Sequence, residues 1–290
     1  MSSTINYAKA YGIDSIAGAI IFTILYIPFL ALYVFQGIRR RTRVYFSLTL
    51  FCLIRVVAFA LRSALAGSTA AATDENVFIA YEVIYNIGFF GVLYSAYTLV
   101  LERESLVDMD TILMYCPGPL QLIFRITRRR SLVRIMLIVA VAIGIAGITD
   151  ITNAKSEADV NEGTSLRSAS VYIFLAVTCL LVVQALALSV ATMRTLDKEI
   201  HAGQQQSYGR GAPGETFGIF VLLAISALLL AREAFYAATT HKTAQQTNEH
   251  LWYPLSALTE FIAIALFAVP GLIPAQDELP QEEREMNLLA

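Results

Sequence analysis

Charge is scarce in this 290-residue sequence: 15% of its residues are Asp, Glu, Lys or Arg, while 57% are hydrophobic and the mean hydropathy is +0.61. An average soluble domain carries roughly 25% charged and 45–50% apolar residues. A soluble globular class is thereby excluded and a membrane class follows. The net charge of −2 and pI near 6.0, with basic residues gathered in short connectors rather than over one face, exclude a nucleic-acid partner. Cysteine is also sparse. Cys52 and Cys179 sit in apolar runs and Cys116 in "MYCPGPLQ", with neither a disulfide framework nor zinc-ligand spacing. The three histidines, His201, His241 and His250, fall in connectors or at helix edges, which argues against an intramembrane zinc hydrolase. The sequence contains no glycine-rich phosphate loop, no G-x-S-x-G elbow and no N-x-[ST] acceptor. It predicts no metal, no cofactor and no nucleophilic constellation.

What the chain does have is apolar length. A helix needs about 20 mainly apolar residues to cross the hydrocarbon core, and seven segments meet that requirement: about 14–37, 44–66, 77–101, 133–152, 169–194, 216–240 and 251–273. The expected fold is an all-α integral membrane seven-helix bundle, one domain over 1–275 with a polar tail at 276–290. The first run exceeds the roughly 7–15 residues of a signal-peptide core and lacks its basic flank, so it reads as a retained transmembrane helix. Lys and Arg set the orientation. With the amino terminus outside, fourteen of the 21 fall in cytoplasmic segments, four in outer segments and three in the membrane. The carboxyl terminus is then cytoplasmic. Membrane lipids are the first partners this implies. The third connector, "ERESLVDMDTILMYCPGPLQLIFRITRRRSLVR", is the longest; it suits an interfacial stretch with Arg128 to Arg130 near anionic head groups, and a cytoplasmic protein partner is the competing reading.

The few charges inside the membrane stand out, because each costs at least ~2.5–3.5 kcal/mol at the bilayer centre unless it faces the bundle interior and finds a partner. A rise of ~1.5 Å per residue places Arg55 near the midplane of helix 2, with Arg62 two turns higher on the same face. Glu82 lies near the outer end of helix 3, sharing a face with Tyr85 and Asn86. Arg232 and Glu233 fall in the outer third of helix 6, near Tyr236, and Glu260 about 14 Å below the outer surface in helix 7. All lie at or above the midplane, and the cytoplasmic halves are expected to hold no buried charge. Arg232 and Glu233 point roughly 100° apart, so each is expected to reach another helix. Depth matching pairs Arg55 with Glu260 and gives Glu82 to Arg62 or Arg232. Such pairs can serve packing alone; the size of the set points further, to a water-accessible outer cavity. Asp150 reads as a helix-end residue, Pro28 as a kink in helix 1, and Gly88 and Gly91 as sites of close helix approach.

The stretches "TLFCLIRVVAFALRSAL", "GFFGVLYSAYTLVLER" and "LAREAFY…NEHLWYPLSALTEFIAIALFAVPGLIP" resemble a large group of fungal seven-helix membrane proteins described as a domain of unknown function. Arg55, the Arg and aromatic pattern over 232–236, and Pro270 with Gly271 carry that likeness. A fainter similarity, through Glu249 and Tyr253, joins the chain to the RTA1-like fungal family, which implies lipid translocation and resistance to toxic amphiphiles. Fungal membrane terpene cyclases resemble it in helix count and buried carboxylates; receptors resemble it in topology only. The expected function is binding of a small amphiphilic ligand or lipid in an outer-half polar pocket, as transporter or sensor. The competing expectation is an intramembrane cyclase or isomerase in which Glu82, Glu233 or Glu260 acts as a Brønsted acid on an isoprenoid-type substrate.

Overall fold

In hydrocarbon every backbone N–H and C=O must be satisfied within its own segment, and the apolar runs of this chain accordingly fold into seven long helices with no strand among the described residues. The computed structural model describes residues 6–40, 42–105, 129–154, 156–201 and 213–274. The helices are α1 (Ile16–Arg40), α2 (Arg43–Gly67), α3 (Glu75–Glu104), α4 (Arg130–Thr152), α5 (Glu157–His201), α6 (Pro213–Thr239) and α7 (Glu249–Phe267). Each is long and apolar enough to cross a membrane. The protein is a multi-pass integral membrane protein with a seven-helix bundle. Consecutive helices pack side by side, α7 returns to α1, and α3 also touches α5 and α6. Side chains such as Ile21, Ile24, Phe35, Phe46, Ile135 and Ile138 are exposed, forming the apolar outer surface that lipid chains cover. α1 continues through Pro28, and Asp150 is exposed in the last turn of α4.

Two elements differ from the sequence expectation. α5 begins at Glu157 rather than near 169, so most of the expected connector "NAKSEADVNEGTSLRS" is helix. The cause is local. Ser156 N donates to Asp159 Oδ2 at 3.0 Å and Asp159 N to Ser156 Oγ at 3.3 Å, a reciprocal cap of the S-x-x-D type, and Glu157 and Asp159 suit the positive helix end. α7 is not uniform either: Glu249–Trp252 is α-helical, Tyr253–Ala257 is a π-turn, and Leu258–Phe267 is α-helical again. Pro254 has no N–H to donate, and the wider turn around it absorbs the missing bond. Of the third connector, Arg129 and Arg130 open α4; the remainder from 106 to 128, with Cys116 and the proposed partner contact, lies outside the described residues, as does the tail.

α4 and α5 approach closely where two glycines face each other. A Cβ on Gly147 would stand 2.7 Å from the Gly163 carbonyl oxygen and 2.8 Å from Arg167 N; one on Gly163 would stand 2.8 Å from the Gly147 carbonyl. Because the obstacles are backbone atoms, they cannot rotate away. Gly147→Val is therefore expected to cost about 1–3 kcal/mol through overpacking, read as a lower melting temperature of the purified protein. Gly67→Ala, whose new Cβ would meet only Ile16 at ordinary contact distance, serves as the neutral control.

Candidate ligand-binding site

The deepest charges form one group around Glu260. Arg55 Nη2 donates to Glu260 Oε1 at 2.7 Å and Arg55 Nη1 to the Tyr85 carbonyl at 2.6 Å. Its guanidinium carbon lies 3.9 Å from the Tyr85 ring centroid, a cation–π contact that suits a desolvated cation. Gly88 makes room, since a Cβ there would come within 3.0 Å of Arg55 Nη1. Arg232 Nε stands 2.6 Å from the same Glu260 Oε1 without directing its N–H at it, and Arg232 Nη1 contacts Glu233 Oε1. Four charges from α2, α6 and α7 thus close on one another, all buried. Glu260 Oε2 and the Tyr26 hydroxyl are buried beside them with no hydrogen-bond partner.

Above this lies a second group. Arg62 donates to Glu249 Oε1 at 2.7 Å and to the Tyr81 hydroxyl at 2.6 Å, and its guanidinium carbon is 4.1 Å from the Trp252 ring. The Glu249 carboxylate also accepts from Ser15 N at 2.9 Å and Asp14 N at 3.3 Å, where α1 begins, so it serves as a cap for that helix. Between the two groups runs a line of neutral hydrogen bonds. Trp252 Nε1 donates to the Tyr236 hydroxyl at 2.9 Å, Tyr236 meets Ser256 Oγ at 3.1 Å, and Ser256 meets the Tyr85 hydroxyl at 2.9 Å. Ser256 sits in the π-turn, which places its side chain between tyrosines from α3 and α6.

Beside these groups the helices leave a partly open cavity of about 70 Å³, room for a few water molecules or one small polar group. Its walls come from α3 (Glu82, Asn86, Phe89), α4 (Val141, Ile148), α5 (Arg167, Phe174), α6 (Arg232, Glu233, Tyr236), the segment before α7 (Gln246) and α7 itself (Trp252). Arg167 and Glu82 form a loose, partly exposed pair at 3.9 Å. Asn86 Nδ2 donates to the Glu82 carbonyl at 2.8 Å. Tyr11 closes one side; burial pushes its phenol above the ordinary range, and the Glu82 carboxylate adds to that rise.

The structure brings together Arg55, Tyr85, Arg232, Glu233, Tyr236 and Glu260 by direct contact, and joins Arg62 to them through Trp252. Arg55 does pair with Glu260. Three other expectations are corrected. Arg232 reaches Glu260 on α7 as expected, but Arg232 and Glu233 also touch each other: their Cβ atoms diverge, yet the long guanidinium stem folds back. Glu82 pairs with Arg167 and not with Arg62 or Arg232, because α5 begins as early as Glu157 and so carries Arg167 to the wall; Arg62 takes Glu249 instead. Buried charge also occurs at the other end of the bundle, where Glu102, Arg103 and Glu104 close α3. There Arg103 Nη2 donates to the carbonyls of Gly271 at 2.5 Å and Leu272 at 2.6 Å, tying α3 to the turn that follows α7. Neutral members, Ser256 and Gln246, carried no hydropathy signal; the proline at 254 was the one available hint of the turn that positions Ser256.

A family profile described as a domain of unknown function matches residues 10–207. The matched span ends before α6, so Arg232, Glu233, Glu249 and Glu260 lie beyond it. No curated protein and no solved structure shows significant similarity to the chain.

Proposed function

We propose, starting from the fact that this chain belongs to the DUF7702 family of unknown function, that it binds a small amphiphile by its polar head in the outer-half cavity and acts as a sensor. The observation that carries the proposal is Arg232: it lines the cavity while its Nη2, buried, has no hydrogen-bond partner. An unmet donor on a residue that lines a polar cavity is a feature that stability alone does not favour, since such a group costs about 1–3 kcal/mol. The sensor reading is supported by α7, which runs from the cavity at Trp252 to the turn at Gly271 and Leu272 that Arg103 grips. The excess of Lys and Arg in the segments assigned to the cytoplasm supports an outside amino terminus. The faint RTA1-like resemblance, through Glu249 and Tyr253, supports a lipid-like ligand. The cyclase reading needs a carboxyl free to meet a substrate, whereas Glu233 and Glu260 are both engaged by arginines.

Trp252 is the single tryptophan of the chain and lines the cavity, so its emission reports occupancy directly. Titrating the protein in nanodiscs with ten-carbon amphiphiles is expected to change that emission saturably. Asn86→Leu, which alters one wall and removes a bond made only within its own helix, is expected to weaken binding several-fold without lowering the melting temperature. Emission that responds equally in both proteins, or not at all, defeats the proposal.

A further inference from the structure

Around the cavity, charge is already matched while hydrogen bonding is not. Arg232 has Glu233 and Glu260, Arg55 shares Glu260, Arg62 has Glu249 and Arg167 has Glu82. Four arginines face four carboxylates. A ligand carrying net charge would enter a low-dielectric site with no counter-charge to spare, and an uncompensated buried ion is strongly unfavourable. What remains unfilled, besides Arg232 Nε that lies against Glu260, is two further N–H donors. Arg232 Nη2 and Gln246 Nε2 are both buried without partners, in residues only 3% and 6% exposed, and both residues line this same cavity. Neither group can act as an acceptor.

We infer that the cavity selects an electrically neutral head group bearing a carbonyl-type acceptor, such as an ester, lactone or ketone, whose oxygen takes N–H bonds from Arg232 and Gln246. One carbonyl oxygen has two lone pairs and can serve both donors. The volume fits such a group alone, so the apolar remainder of the amphiphile extends out along the wall of Val141, Ile148 and Phe174. This inference rests on the binding reading above and narrows it to one ligand class.

The test compares probes of equal chain length by Trp252 emission: methyl decanoate, 2-decanone, decanoate and decylamine. The ester and ketone are expected to bind at least about tenfold more tightly than either ion, and Gln246→Leu to weaken them by about tenfold, the equivalent of one hydrogen bond. Tighter binding of decanoate or decylamine overturns the neutral-carbonyl assignment and leaves the binding reading standing. Equal response to all four probes, unchanged in Gln246→Leu, marks simple partitioning and overturns the assignment too. Absence of any saturable response overturns both.

Discussion

Glu260→Gln is expected to be the most damaging single substitution in the protein, costing about 3–5 kcal/mol. The amide keeps the shape but removes the negative charge that stands 2.7 Å from Arg55 and 2.6 Å from Arg232. Arg55, fully buried, would keep a neutral amide oxygen, the Tyr85 carbonyl and two aromatic faces, but no counter-charge. A loss of that size is a large fraction of the ~5–15 kcal/mol that holds a domain folded, so the variant should accumulate poorly and melt far below the parent. Arg55→Met combined with Glu260→Met separates the cause. If unpaired charge is the fault, the double variant recovers most of the loss, because apolar replacement of a whole buried pair is often neutral. If the double variant is worse than Glu260→Gln alone, packing dominates at this position and unpaired charge is not the cause of the loss.

Glu249→Ala should cost about 2–4 kcal/mol, from two separable sources. Loss of the cap on α1 contributes about 1 kcal/mol; the rest comes from leaving Arg62, only 5% exposed at its side chain, without its carboxylate. Glu249 itself is 15% exposed at its side chain, which keeps the second part below the figure for Glu260. Glu249→Gln keeps one acceptor oxygen, which can still take the shorter bond from Ser15 N, so it should retain the main part of the cap while losing the charge. Thermal melts of the two variants are expected to differ by about 1 kcal/mol, with glutamine the milder. Equal melting temperatures would show that the contact with α1 contributes nothing.

The seven spans were legible because a membrane imposes a length and a polarity that few other environments impose. The Arg55–Glu260 pair was legible for a related reason: depth along a helix follows from residue count, and only one acid lay at the right depth. Lateral relations were another matter. Residue counting gives no order around the bundle, so Glu82 was assigned to arginines on helices that it does not reach. The 157–168 stretch looked like a connector because it is polar. Its Ser156 and Asp159 cap pattern was present in the sequence and carried the better signal. Arg232 and Glu233 show the limit of treating side chains as short vectors, since an arginine stem spans more than the divergence of two adjacent Cβ atoms. Glu102, Arg103 and Glu104 were read as connector charges at a helix end, and only packing against the turn after α7 reveals that they are buried. Gln246 and Ser256 are polar without charge, and nothing in a hydropathy profile separates them from other polar residues near helix ends.

The pairing of Arg55 with Glu260 also bears on how the protein is made. The two residues are 205 positions apart, and at about 5–20 residues per second of synthesis the second emerges about 10–40 s after the first. Arg62 waits almost as long for Glu249, 187 positions on. During that interval α2 holds two cations whose partners do not yet exist, which disfavours its release into lipid. The early helices should therefore remain beside the insertion machinery, or beside a helper that shields the arginines, until the seventh helix arrives. A chain ending after α6 would lack both acids and is expected to be retained and degraded, although most of its helices are complete.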